Sequence, residues 1–292
     1  MNSYRYRKTD AFTSTISLGN PAASVYLTKE QSLTDEQMQS IAKQHKGFVC
    51  EMVFCKECND CYELAYFSSE CEVQFCGHGT IACMHSLIKN TPELLDKKEI
   101  IIKTRRKGNL TIYNEIAEQD AIYISAPEAL YLDTELSVND ICEAMNLSET
   151  DISVDYPIDF IDAGNRTLIV PINSLEKEIA IFPDEEQLRY FTFKNGIDVI
   201  LIFCMDTKEK GYHAHTRVFA PKFGYLEDPA TGSANSSFAY YMLKNKMWNG
   251  EMITLEQGGN DRIFNPVKLV MKNGNLLFGG SATTRIEGEY FI

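Results

Sequence analysis

No stretch of this chain is basic enough to track a phosphate backbone. Lys and Arg total 28 against 41 Asp and Glu, a formal net charge of −13, which sets nucleic acid aside as a partner. Long apolar runs are also missing. The longest, Val199 to Met205, falls far short of the ~20 residues that a bilayer-spanning helix needs, so it reads as a buried strand and no membrane is expected. The opening MNSYRYRKTDAF has no apolar core of the signal-peptide kind, which makes the cytoplasm the expected location. There the nine cysteines stay reduced, and no disulfide framework is expected. No nucleotide-binding or Walker motif is present, and no cofactor is expected.

What is present is a globular composition. The 292 residues, 44% apolar and 24% charged, suffice for one large domain or two ordinary ones. Runs rich in β-branched and aromatic residues predict strands at 23–27, 52–55, 62–67, 100–103, 110–113, 121–125, 168–171, 199–205 and 267–270. A capping box at Thr34 opens one helix with Met38, Ile41 and Ala42 inward, and another follows Ser137 with Ile141, Cys142 and Met145 inward. Two further helices, 80–89 and 233–245, are apolar around much of their circumference, as expected of helices enclosed by sheet. The pattern predicts a mixed α+β fold.

The chain also repeats itself. Phe67 is followed nine residues later by Cys76-Gly77-His78-Gly79-Thr80 and a helix; Phe219 is followed nine residues later by Asp228, then Gly232-Ser233 and a helix. This predicts two similar lobes, residues 1–125 and 126–292, with the strand near 280–292 free to pack on the first. Helix N-termini leave unpaired N–H groups at the positive end of the dipole. Two of them would hold a carboxylate or stabilise an enolate. Gly79 and Gly232 are expected to let the backbone approach a ligand closely.

Two other groupings look like metal sites. Cys55, Cys58 and Cys61 in CKECNDC are evenly spaced, but no fourth cysteine followed by proline and no second Cys-x-x-Cys pair completes a cluster. The reading is a hairpin between strands, with residues 56–60 as its turn and Asn59-Asp60 as turn formers. His213-Ala214-His215 puts two imidazoles on one strand face, half of a metal site with no third ligand nearby in sequence. No metal is expected at either.

Several segments carry a resemblance: Asp10-Ala11-Phe12-Thr13, Gly19-Asn20-Pro21-Ala22-Ala23, Glu72 through Thr80, Arg217-Val218-Phe219-Ala220-Pro221, Glu227 through Ala234, and the closing Gly279-Gly280 and Gly288. In this order and spacing the chain resembles the PhzF family, the phenazine-biosynthesis isomerase group with the diaminopimelate-epimerase fold. The resemblance implies two lobes, each a curled sheet around a central helix, with the active site in the cleft between them. It implies cofactor-independent proton transfer on a small carboxylate-bearing substrate, and it is compatible with a homodimer. Carried over, the acid/base is Glu51, reached through a lead-in, His45 to Cys50, that departs from the family's. His78 and Asp228 become the other catalytic positions, with Gly77, Gly79, Thr80, Gly232 and Ser233 binding substrate.

Glutamate suits this chemistry because it can take a proton from one carbon and return it to another, or to the other face. Racemases of the same fold use two facing cysteines. Cys76 could supply one, but the second turn, Glu227 to Ser233, holds none, which disfavours a two-thiol mechanism. A carboxylate-binding protein without turnover is the rival from another class.

Overall fold

The computed structural model describes residues 2–59, 61–259 and 263–292, and the chain divides into two compact units. Unit 1 runs to Ser125 and takes back Gly279–Ile292; unit 2 is Ala126–Phe278. In unit 1 the elements are β1 (Ser3–Ala11), β2 (Asn20–Leu27), α1 (Asp35–Gln44), β3 (Glu51–Glu57), β4 (Tyr62–Ser68), β5 (Glu72–Val73), α2 (Gly77–Lys89), α3 (Pro92–Leu95), β6 (Glu99–Thr104), β7 (Gly108–Glu115), α4 (Ile116–Gln119) and β8 (Ala121–Ser125). β1 pairs antiparallel with β2, β2 parallel with β3, and β3 antiparallel with β4. β4 then pairs antiparallel with β5 and parallel with β6, and β6, β7 and β8 form an antiparallel meander. Each parallel step needs a crossover; α1 and α2 supply the two.

The sheet of unit 1 is buried on both faces, and β3 shows why. Met52 and Phe54 pack under α1 with Met38, Ile41 and Ala42. Val53, one residue out of phase, meets the first turn of α2. A strand covered on both faces reads as a continuous apolar run rather than an alternating one. Within α2 every residue from Gly79 to Ile88 is buried, and the helix packs against β1, β2, β3 and β8. Each large side chain it buries, such as Ile81 or Ile88, contributes roughly 1.5–3 kcal/mol.

Unit 2 repeats this topology. It comprises β9 (Leu130–Leu132), α5 (Val138–Met145), β10 (Asp159–Asp162), β11 (Arg166–Pro171), α6 (Leu175–Ala180), α7 (Glu185–Lys194), β12 (Val199–Cys204), β13 (His215–Phe219), β14 (Glu227–Asp228), α8 (Gly232–Lys244), β15 (Ile253–Gln257), β16 (Asn265–Lys272) and β17 (Asn275–Gly280). The pairings β10–β11 antiparallel, β11–β12 parallel, β12–β13 and β13–β14 antiparallel, β13–β15 parallel and β15–β16 antiparallel mirror those of unit 1. Asn273 and Gly274, both at positive φ, form the turn between β16 and β17, as a two-residue hairpin requires. α8 packs on β10, β11, β12 and β16. The last strand, β18 (Ala282–Phe291), pairs antiparallel with β1 in unit 1.

Three sequence expectations need correction here. The enclosed helices begin at Gly77 and Gly232, so these glycines and Gly79 lie inside first turns rather than in turns before them. The repeat is also offset: Val73 pairs with Tyr66 where Asp228 pairs with Val218, so Asp228 corresponds to Val73, not to Cys76. The short helical turn Pro221–Phe223 lengthens the second connection. Finally, β3 and β4 stay paired out to Glu57 and Tyr62, so Lys56 and Glu57 belong to the strand. The Cys58 N–H donates to the Cys61 carbonyl at 2.9 Å and closes a tighter tip; Asp60 lies outside the described residues. Among the described residues no helix is long and apolar enough to cross a membrane.

Candidate active site

Glu51 is the first residue of β3, on the same side of the strand as Val53 and therefore toward α2. His78 is the second residue of α2. The geometry brings them together: Nε2 of His78 lies 3.2 Å from Oε2 of Glu51, with side chains 11% and 17% exposed. The contact is close without being a well-directed hydrogen bond, which leaves Oε2 with unused acceptor capacity. Cys76 completes the group. It is the N-cap of α2; its sulfur accepts from the Gly79 N–H at 3.2 Å and stands 3.5 Å from Nδ1 of His78.

Burial opposes a charged imidazole at His78, but Cys76 and Glu51 outweigh it and hold its pKa well above the ordinary value. Burial pushes the Cys76 thiol up, against the pull of His78 beside it. A raised folded pKa stabilises fully below the unfolded histidine value of about 6.5, and the benefit fades as pH rises through the folded value. Wild type is therefore expected to lose melting temperature relative to His78→Gln as pH is raised from about 6.5 toward 10. Thermal melts of both proteins across that range check this; parallel curves would contradict it.

The other predicted residues fall as follows. Thr80 does not face a ligand: it is fully buried, and its hydroxyl bonds the Cys76 carbonyl at 2.7 Å and the Tyr66 hydroxyl at 2.7 Å. Gly77 is partly exposed at the start of α2. The glycines at 79 and 232 serve packing within their own units. A Cβ on Gly79 would stand 2.9 Å from both Cys76 Sγ and Val53 Cγ2, and one on Gly232 would stand 2.3 Å from the Phe278 ring. Gly232→Ala is expected to cost about 1–3 kcal/mol by overpacking, read as a lower urea midpoint; an unchanged midpoint would show that Phe278 yields freely.

In unit 2, Asp228 is buried at 5% exposure. Its carboxylate accepts from the Thr231 hydroxyl, and its backbone carbonyl accepts from Gln257 at 2.8 Å. Thr231 is the N-cap of α8, yet its side chain makes no cap hydrogen bond, because the hydroxyl is committed to Asp228. The amides of the first turn of α8 are thus not capped by Thr231. Thr231 also stands where unit 1 has Cys76, so the second thiol of a racemase has a hydroxyl in its place. Ser233 is partly exposed, and its oxygen accepts from Asn165 Nδ2 at 2.7 Å. Sequence reasoning missed Asn165; the recurrence of Gly19-Asn20 as Gly164-Asn165 was the signal.

Glu51, Cys76 and His78 also have the spacing of metal ligands, and among the described residues one other group does, Glu178, Cys204 and His215. The CKECNDC thiols form no such group among the described residues. Cys55 is buried, with Cys58 and Cys61 at the hairpin tip.

The sequence pattern of PhzC-PhzF, phenazine biosynthesis-like protein, matches residues 9–288. An uncharacterized isomerase of Clostridium acetobutylicum is 27% identical over 252 residues, which covers 84% of this chain and 80% of its own. One from Bacillus subtilis is 28% identical over 255 residues, covering 86% and 85%. Among solved structures, the phenazine biosynthesis protein of the PhzF family from Bacillus anthracis matches with a TM-score of 0.85 and 26% identity, covering 100% of both chains. A probable proline racemase from Agrobacterium radiobacter has a TM-score of 0.60 at 9% identity, covering 99% of this chain and 92% of its own, a likeness of fold alone.

Proposed function

This chain belongs to the PhzC-PhzF family of phenazine biosynthesis-like proteins, and we propose that it is an isomerase or epimerase moving a proton on a small carboxylate-bearing substrate without a cofactor. Glu51 is the acid/base. The observation that carries this reading is the Glu51–His78 pair at the start of α2, where a partly accessible carboxylate keeps an oxygen with spare acceptor capacity beside a protonated imidazole. The carboxylate takes the C–H proton; the imidazolium steadies the charge on Glu51 and can donate to an oxygen on which negative charge develops. The open first turn of α8, with Ser233 set by Asn165, is the anion-holding element in this reading, and Asp228 fixes the turn through Thr231. The names of the relatives, isomerases, point to the same reaction class.

The test is incubation with a panel of amino and hydroxy acids in D2O, followed by mass spectrometry and NMR. Enzyme-dependent deuterium uptake at carbon supports the reading. Saturable ligand binding with no exchange for any member would turn it toward a binding protein.

A further inference from the structure

At the end of β12 and β13 opposite to Asp228, three side chains that the proposed reaction does not use meet inside unit 2. Cys204 closes β12, His215 opens β13, and the two are direct antiparallel partners, so both project from one face of the sheet. Glu178 comes from α6, which packs on β12. Glu178 and His215 are 0% exposed and Cys204 3%. Oε2 of Glu178 lies 3.0 Å from Nδ1 of His215, and the candidate ligand atoms of all three residues lie within 4.8 Å of one another.

The fold holds this arrangement deliberately. Arg217, two residues along β13, donates from Nη1 to the carbonyls of Glu178, Ile179 and Ile181 at 2.7, 3.3 and 2.8 Å. That clamp fixes α6 and with it the direction of Glu178. Yet both carboxylate oxygens and both imidazole nitrogens are buried without a directed hydrogen bond, an arrangement folded proteins avoid. An ion pair between Glu178 and His215 answers one oxygen and one nitrogen only. It leaves the other imidazole nitrogen without a directed hydrogen bond, while the thiol donates only to the Asp206 carbonyl at 3.2 Å.

We infer that Glu178, Cys204 and His215 form a buried zinc site. A divalent ion with one thiolate, one carboxylate and one neutral imidazole is electrically neutral, which suits a site closed to water. A sulfur, a nitrogen and an oxygen donor together select zinc over magnesium or calcium. The backbone carbonyl of Asp206 accepts from the Cys204 thiol at 3.2 Å; once the thiol ionises, that oxygen is released and is available for a fourth position. Binding releases the thiol proton and the one proton that the Glu178–His215 pair shares, so charge balances on both sides. The ion would pin α6 to the sheet. The His213–His215 half-site read from the sequence thus contributes only His215, and the other ligands come from distant elements.

Protein purified without chelators from zinc-supplemented medium is expected to carry one zinc per chain by plasma mass spectrometry. X-ray absorption of the wild type should show one sulfur with nitrogen and oxygen neighbours. Cys204→Ser should lose the ion, while Cys58→Ser and Cys76→Ser keep it. The inference fails if wild type holds no zinc and takes up neither Zn2+ nor Co2+, or if more than one sulfur is seen. It fails equally if Cys76→Ser or Cys58→Ser abolishes binding. Should Cys204→Ser not fold, the wild-type spectrum and those two variants decide alone.

Discussion

Glu51→Gln is expected to slow deuterium exchange into substrate by about 10²–10⁴-fold, the usual contribution of a positioned general acid/base. The substitution keeps the shape of the side chain and removes only its capacity to carry a proton. Glu51 sits at the start of β3 with its backbone paired to Ala22 and Ser68, so the strand itself does not depend on the carboxylate, and any fall in melting temperature should come from the lost pairing with His78. Cys76→Ser is the informative comparison. Serine is a good N-cap and keeps an acceptor for the Gly79 N–H, so a mechanism on Glu51 predicts a small effect. A thiol mechanism predicts the reverse ranking. Undiminished exchange in Glu51→Gln would remove it from the chemistry.

Arg217→Leu is expected to destabilise unit 2 by about 3–5 kcal/mol, the cost of breaking one side of a buried ion pair. Arg217 is 1% exposed. It grips Glu227 through two bonds, Nε to Oε1 at 3.0 Å and Nη2 to Oε2 at 2.8 Å, and its remaining nitrogen holds the three carbonyls of the α6 segment. Its guanidinium also lies 4.9 Å from the centre of the Phe219 ring. Leucine fills part of the space but strands the carboxylate and the carbonyls together. Arg217→Lys should recover little, because one ammonium cannot reproduce a planar fork. Urea or thermal unfolding reads the effect, and a loss below about 1 kcal/mol would mean that water replaces the guanidinium. Glu227 corresponds by register to Glu72 of unit 1. There the carboxylate pairs with Arg105 and Arg106 from the β6–β7 turn, so the two units solve one problem from different directions.

Much of the fold was legible where local chemistry and tertiary demand agree. Thr34 forms the capping box its sequence promises and a helix follows Ser137 as expected, and the apolar runs of β3, β4, β11 and β12 are strands buried throughout or nearly so. The strands that escaped detection or precise bounds break that agreement. β1, SYRYRKTDA, contains Arg7, which is buried only because Glu287 and Ser86 answer it across the sheet and from α2. β18, expected only as a strand near 280–292, is largely exposed and polar, so no hydrophobic signal fixes its bounds. In α7 only Leu188 and Thr192 are buried, too few to mark a face. At the candidate site Glu51 and His78 are proposed on the resemblance, since the strand period alone does not say which helix faces Glu51. Thr80 was misassigned because a hydroxyl at a helix start looks the same whether it faces ligand or core. The Glu178–Cys204–His215 group was out of reach: its members lie on three elements, and α6 itself was not foreseen.

The pairing of β1 with β18 sets an order of maturation. Ser3 pairs with Phe291, and Asn2 and Ile292 exchange backbone hydrogen bonds at 2.9 and 3.0 Å. During synthesis β1 is made before unit 2, and its outer neighbour β18 arrives only after all of unit 2 has been made. Until then β1 presents an open edge, a standing invitation to wrong partners. Its three cations, Arg5, Arg7 and Lys8, charge that edge in the interval. Unit 1 is thus begun before unit 2 and completed after it, and the three charged residues that β1 buries or half-buries at this seam, Arg7, Lys8 and Asp10, belong to the finished sheet as well as to the interval before it.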